Sequence, residues 1–395
     1  MEKVKISDIY FFQEGPGVRK WQFTESGVKL LNVGNINGGQ INLDKTSIYI
    51  SEEEAYGKYS HFLVHEGDLL IACLGIVVDN FHNKIAFIEK EHLPVCLNTS
   101  TMRFKELPAK KGTLNYLKFF LQTNNFKEQL RKLITGSAQL NFGPSHIKKI
   151  DIPLPPLSIQ KTIAAKLDKA QEIIAYNKQL LEKYDQLTQA LFIDMFGDPV
   201  KNEKGWEKDV LGNVCIKITD GTHDTPERLK EGIKFITGKH IRPFFIDYEN
   251  SDYVTEEIHK EIFRRCNPEK YDILYTNIGV NYGTAAMNIV DFEFSMKNVA
   301  LLKYDRNILI GQFLTFILNN ENFKDRLKTT FGIGGAQQFL SLSNIKKIQV
   351  LLPPIHLQNQ FAERVEKIEI QKQMAQESLA KSEELFQSLL KESFK

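Results

Sequence analysis

The chain repeats an ordered set of short motifs at a separation of half its length. Gly136–Ser137–Ala138–Gln139 is followed by Ile147–Lys148–Lys149–Ile150, then by Leu154–Pro155–Pro156 and Gln160. Gly334–Gly335–Ala336–Gln337, Ile345–Lys346–Lys347–Ile348, Leu352–Pro353–Pro354 and Gln358 follow in the same order, each 198 residues after its counterpart. Solenoid repeats have periods of roughly 20–50 residues, so this period marks a duplicated domain with its linker. Weaker matches extend the series. Phe126–Lys127 pairs with Phe323–Lys324, Asp68–Leu69–Leu70 with Asp272–Ile273–Leu274, Gly75 with Gly279, and Val28–Lys29–Leu30–Leu31 with Ile233–Lys234–Phe235–Ile236. The offset drifts between these matches, as it does where loops accept insertions. Two similar but unequal halves in one chain allow a pseudo-twofold arrangement, which suits a target in two parts.

A length of 395 residues accommodates two or more domains, each large enough to bury its own core. With 25% charged and 42% hydrophobic residues, the composition is that of an ordinary soluble protein. No apolar run approaches the roughly 20 residues that span a membrane. The first residues are charged and lack a long apolar core, so no signal peptide is expected and the expected location is cytoplasmic. Cys73, Cys96, Cys215 and Cys266 are isolated, which points to neither a zinc site nor a disulfide framework. A net charge of +2 is uninformative, because a DNA binder can place its basic residues on one face.

Each half reads as a mixed body followed by a helix. Val28–Val33, Ile48–Ile50, Asp68–Cys73 and Ile85–Ile88 are short and rich in β-branched residues, which favours strands. Leu114–Leu133 and Ile310–Leu327 read as one helix each near the end of each body. The pattern after each Pro-Pro is helical, and proline suits a helix start because its missing N–H costs nothing there. An a/d seam runs through Ile163, Leu167, Ala170, Ile174, Asn177, Leu181, Tyr184, Thr188, Leu191 and Met195. Its counterpart is Phe361, Val365, Ile368, Lys372, Ala375, Leu379, Ser382, Phe386, Leu389 and Ser393. Helices of this length run roughly 55–60 Å. An apolar seam that long would be wet unless the two helices pack together, and the body–helix–body–helix order favours antiparallel packing. Asn177 opposite Ala375 or Lys372 either sets register or sits solvated at the seam edge. Gly197–Asp198–Pro199 breaks the chain between the halves.

With this order of motifs the chain resembles the specificity (S) subunit of Type I restriction–modification systems. The resemblance rests on the Ala-Gln elements, the doubled Leu-Pro-Pro…Gln, and Asp220–Gly221–Thr222–His223–Asp224–Thr225–Pro226, which is similar to a loop found early in such recognition domains. The first half has Gln13–Glu14–Gly15–Pro16–Gly17 in that region, without Gly-Thr-His, as two different half-site specificities would produce. The resemblance implies an α+β fold: two similar mixed α/β target-recognition domains separated by two long helices packed as an antiparallel coiled coil. The domains would be target-recognition domain 1 at 1–156, the central helix at 157–197, target-recognition domain 2 at 198–354 and a second long helix at 355–395.

Signs of intrinsic chemistry fail on inspection. Phe331–Gly332–Ile333–Gly334–Gly335 is similar to an S-adenosylmethionine loop, but Ile333 stands where close backbone approach needs glycine. Gly238–Lys239 is followed by His240 rather than Ser or Thr, and lacks the upstream glycine of a phosphate loop. His61 and His65 lack the glutamate of a metalloprotease helix, and Glu256–Glu257 reads as a solvated run. No catalytic or metal site is expected.

DNA bases are read by Arg, Lys, Asn, Gln, Ser and Thr, and phosphates are held by cations. The candidates in the first body are Arg19, Lys20, Asn80, His82, Asn83, Lys84, Gln139 and Asn141. Those in the second are Thr222, His223, Lys239, Arg242, Asn277, Asn281, Tyr282, Gln337 and Gln338. Each has a blander reading as a turn residue or cap. Arg264–Arg265 is either a phosphate clamp or a salt-bridged pair. The resemblance implies double-stranded DNA as ligand, with each body reading one half of a bipartite asymmetric target. It implies two methyltransferase (M) subunits docked on the helices, and restriction (R) subunits joining through them. S-adenosylmethionine, ATP and magnesium would be used by those partners, with no cofactor bound by this chain. The competing expectation is a coiled-coil scaffold whose bodies bind proteins or RNA.

Overall fold

A computed structural model of the chain describes residues 2–109, 111–134, 141–279, 281–333 and 339–395. The chain divides into two compact units, Met1–Lys178 with Glu377–Lys395, and Gln179–Gln376.

The first unit is built on a four-stranded antiparallel sheet in the order Tyr10–Glu14, Thr101–Glu106, Leu69–Ala72, Ile85–Phe87. A second sheet places Val28–Leu31 between Tyr49–Ile50, antiparallel, and Val95–Leu97, parallel. A small hairpin joins Ile36–Asn37 to Gln40–Ile41, and Lys3–Lys5 pairs with Asp151–Pro153. The second unit repeats this topology. Its four-stranded sheet runs Cys215–Asp220, Ala300–Tyr304, Ile273–Tyr275, Ala285–Met287. Ile233–Thr237 lies between antiparallel Asp252–Val254 and parallel Ser295–Lys297. Ile241–Arg242 and Phe245–Ile246 form the hairpin, and Lys208–Val210 pairs with Gln349–Leu351. The matched segments Val28–Leu31 and Ile233–Ile236 are therefore the same strand of the same sheet.

The doubled Asp68 and Asp272 have a structural cause. Each closes the turn into its strand by accepting a backbone N–H, from His65 at 2.9 Å and from Glu269 at 2.8 Å. Each also faces a lysine of the neighbouring strand, Lys105 at 3.6 Å and Lys303 at 2.6 Å.

Where the sequence predicts one helix over Leu114–Leu133, the structure has two, Leu114–Phe120 and Asn124–Leu133. Ile310–Leu327 divides likewise into Gly311–Asn319 and Glu321–Phe331. The cause is an N-cap inside each apolar run: Thr123 Oγ1 accepts from Phe126 N at 3.1 Å and Asn320 Oδ1 from Phe323 N at 3.0 Å.

The long helices are Leu157–Phe196, of 40 residues, and Ile355–Ser393, of 39. Every seam position named above is buried or half-buried. Within the first unit the two helices run antiparallel. Ala164, Leu167 and Ala170 share a core with Phe386, Leu390 and Phe394, and Lys178 meets Glu383 at 3.0 Å. Phe394 also packs on Tyr116 and Phe120 of the body, so the seam and the domain core are continuous there. Within the second unit the pairing is again antiparallel, with Phe361 against Phe192 and Phe196, and Lys372 bonded to Asp185. The sequence suggests Ala375 or Lys372 opposite Asn177, but its bonded partners are two serines further along the second helix. Its Nδ2 donates to Ser378 Oγ at 3.2 Å and Ser382 Oγ at 3.3 Å. Among the described residues no helix is long and apolar enough to cross a membrane.

Candidate nucleic-acid interface

In the second unit the Asp220–Pro226 loop is anchored by a buried carboxylate. Asp220 accepts from Arg265 Nη2 at 2.5 Å and meets His223 Nε2 at 2.9 Å, while His223 Nδ1 lies 2.8 Å from Asn298 Oδ1. Arg265 is thus the salt-bridged member of the Arg264–Arg265 pair. Thr222 turns the loop by accepting Asp224 N at 3.1 Å. Gly221 is demanded by close approach, since a Cβ there would lie 2.0 Å from Met296 O. Gly15 holds the same place in the first unit, where a Cβ would lie 2.4 Å from Asn98 N. The two loops share this glycine and its close backbone approach and differ in the residues beyond it.

Lys239 is exposed and, together with Arg228, faces Asp252, at 3.2 and 2.7 Å. Hydrogen bonding to Lys239 and the Arg228 charge outweigh partial burial and hold the Asp252 carboxyl below its usual range. Next to it His240 is buried, and its Nδ1 accepts from Thr237 N at 2.9 Å. Burial, reinforced by the Lys239 charge, lowers its pKa. Asn281 Nδ2 donates to Gly238 O at 3.3 Å, which brings the loop after Ile273–Tyr275 beside Lys239. Arg242 is exposed on the hairpin.

Two candidates of this unit are redirected to the interior. Asn277 is buried and donates to Leu340 O at 3.1 Å. Tyr282 lies in the hydrophobic core, where burial pushes its hydroxyl up to about 12. Both look like loop residues in the sequence, but Asn277 is tied to Leu340 and Tyr282 packs among core side chains. Gln337 and Gln338 lie outside the described residues.

In the first unit Asn80, His82, Asn83 and Lys84 sit on one short 3₁₀ segment, Val78–Lys84. Burial, and then the Lys127 charge, lower the His82 pKa. Lys84 braces the hairpin by donating to Ile36 O at 2.8 Å and Val33 O at 3.3 Å, and the Asn83 carbonyl accepts from Gly39 N at 3.4 Å. Arg19 and Lys20 are exposed on a separate turn beside Trp21, an exposed aromatic that sequence reasoning passed over. Asn141 Oδ1 accepts from Gly75 N at 2.9 Å. Gln139 lies outside the described residues. The hairpin residues Asn37, Gln40 and Phe245 are exposed and were also missed. Their signal was the offset of 205 residues that relates Val28–Leu31 to Ile233–Ile236, carried a few residues further.

Two copies of one α+β topology, each leading through Leu-Pro-Pro into a long helix, define a duplicated recognition protein. A family model described as the Type I restriction modification DNA specificity domain matches residues 1–185 and again 203–383, and the chain belongs to that family. It is 24% identical over 315 residues to the Type I restriction enzyme StySPI specificity subunit of Salmonella potsdam, covering 73% of this chain and 66% of that protein. It is 26% identical over 185 residues to the Type I restriction enzyme MjaVIII specificity subunit of Methanocaldococcus jannaschii, covering 47% of this chain and 43% of that protein. The matched parts thus span less than two thirds of either relative. The crystal structure of the Type I restriction–modification S subunit from M. genitalium shares the fold, with a TM-score of 0.59 at 18% identity over 100% of this chain and 96% of that one.

Proposed function

We propose that this chain is the non-catalytic DNA-specificity subunit of a Type I restriction–modification complex, acting in the cytoplasm. Each unit reads one part of a bipartite, asymmetric duplex target. The observation that carries this reading is the contrast within the repeat: strand order, turn carboxylates and helix starts recur, whereas the loop residues at equivalent places differ. A shared scaffold with exchanged loops is what two half-site specificities require.

The long helices dock the partners. Exposed apolar residues stand on them at duplicated positions: Tyr176 and Met374 are 198 residues apart, as are Leu187 and Leu385, and each is at least 50% exposed. Tyr176 and Leu385 belong to the first unit, Leu187 and Met374 to the second. Two similar faces accept two copies of one partner, here an M subunit. R subunits join through that assembly, and S-adenosylmethionine, ATP and magnesium are used by the partners.

Methylation-sensitive sequencing of DNA from cells expressing this chain with its M subunit tests the reading. The expected result is one methylated motif with two defined parts and an unspecified gap. A complex that forms but methylates and retains no specific sequence would favour the protein- or RNA-binding scaffold instead.

A further inference from the structure

The two hairpins share a scaffold. In each, two residues pair across a two-residue tip: Asn37 with Gln40, and Arg242 with Phe245. The first strand of each starts with a fully buried isoleucine, Ile36 or Ile241. Each base is closed by the same bond, Asn42 N to Asn35 O and Asp247 N to His240 O, both 2.8 Å. The second tip residue has positive φ in both, +76° at Gly39 and +67° at Phe244.

The chemistry on this scaffold is exchanged completely. The first tip reads Asn37–Gly38–Gly39–Gln40 and the second Arg242–Pro243–Phe244–Phe245. Positive φ is a conformation that bulky side chains rarely adopt. The ring of Phe244, which adopts it, packs against that of Phe316, with centroids 4.4 Å apart. Residues paired across a hairpin project from the same face. Each tip therefore presents two side chains together, and all four are exposed.

A two-stranded ribbon fits the major groove, where Asn or Gln pairs with adenine, Arg with guanine O6 and N7, and an apolar group meets the thymine methyl. We propose that the hairpins are base-reading elements: Asn37 and Gln40 read an adenine in one part of the target, and Arg242 and Phe245 read a guanine with a neighbouring thymine in the other. This rests on the DNA-specificity reading above, and adds to it which residues choose the bases.

The test uses the full chain co-expressed with its M subunit, with methylated motifs read by sequencing. Affinity is measured on duplexes carrying single base changes. Transplanting the second tip into the first (N37R, G38P, G39F, Q40F) should alter one part of the motif and spare the other. Q40A and R242A, which keep both turns intact, should each lower discrimination at one position roughly ten- to a hundredfold, in different parts of the motif. If R242A and Q40A methylate the wild-type motif with unchanged discrimination, the hairpin inference is overturned while the specificity-subunit reading stands. If the wild-type complex recognises no sequence, that reading itself has failed.

Discussion

Gln358 Oε1 accepts the backbone N–H of Ile310 at 2.9 Å, and its Nε2 donates to Ile308 O at 3.0 Å and Pro353 O at 2.8 Å. Gln160 does the same in the first unit, accepting from Thr113 N at 3.0 Å and donating to Lys111 O and Pro155 O at 2.9 and 2.8 Å. Both glutamines are fully buried. Each ties the start of a long helix to the loop before a body helix, using both ends of one carboxamide. The doubled Pro-Pro-x-x-x-Gln is therefore a fold element rather than a DNA contact.

Replacing Gln358 with alanine takes the partner from three backbone groups, one in a buried bond, Pro353 O, and two in half-buried bonds, Ile310 N and Ile308 O. A buried group that loses its partner costs about 1–3 kcal/mol, partly relieved by water, so a loss of roughly 2–4 kcal/mol is expected. Q358E should be at least as damaging, since a carboxylate cannot donate to the two carbonyls. Thermal melts of wild type and both variants check this. A midpoint within error of wild type for Q358A would contradict the assigned role.

Much of the architecture was legible in the sequence because duplication and periodicity are local patterns. The seam positions could be read from alternating spacing alone. The breaks at Thr123 and Asn320 were not read, since a polar residue in an apolar helical run looks the same whether it caps or is solvated. The role of Gln160 was hidden for another reason. Its position is visible as a repeat, but its bond to Thr113 crosses 47 residues of chain. The same limit explains Asn277 and Tyr282. Composition marks them as loop residues, while their burial depends on strands folded from elsewhere.

His240 carries a pH prediction. Its folded pKa is lowered from the usual 6.5, chiefly by burial, so the unfolded chain takes up the proton more readily. Stability then falls as pH drops below about 6.5, and the loss is complete below the lowered folded value. Protonation also removes the Nδ1 acceptor for Thr237 N. Asn35 serves the same turn in the first unit, accepting from Asn32 N at 2.8 Å with a group that does not titrate. H240N should therefore fold and show a shallower decline between pH 7.5 and 5.5 by denaturant titration. An unchanged slope would place the acid sensitivity elsewhere.

Asp220 carries a prediction about recognition in one unit only. Its carboxylate holds Arg265 and His223, so D220A releases the loop beyond Gly221 and leaves Arg265 unpaired. Loss of charged hydrogen bonds of this kind costs about 1–3 kcal/mol. Discrimination within one part of the DNA target should weaken, and the other part should be untouched. Competition binding against duplexes altered in one part at a time is the measurement. Equal loss in both parts would mean that the loop acts through general affinity.

The exposed apolar pairs on the long helices predict the stoichiometry. Wild type should hold two M subunits per chain in native mass measurements of the co-expressed complex. Burying a large apolar side chain contributes roughly 1.5–3 kcal/mol, so a pair supplies enough to decide whether a partner stays bound. Introducing a charge at such a site adds a desolvation cost that acts in the same direction. Y176E with L385E alters the first unit and should reduce the complex to one M subunit. L187E with M374E alters the second and should do the same, and the four changes together should leave the chain without M. Because these side chains are solvent-exposed, the melting temperature of the isolated chain should move little. Retention of two M subunits by the first double variant, with an unchanged melt, would exclude Tyr176 and Leu385 from the docking face. Loss of both M subunits from either double variant would instead mean that the two faces are not independent.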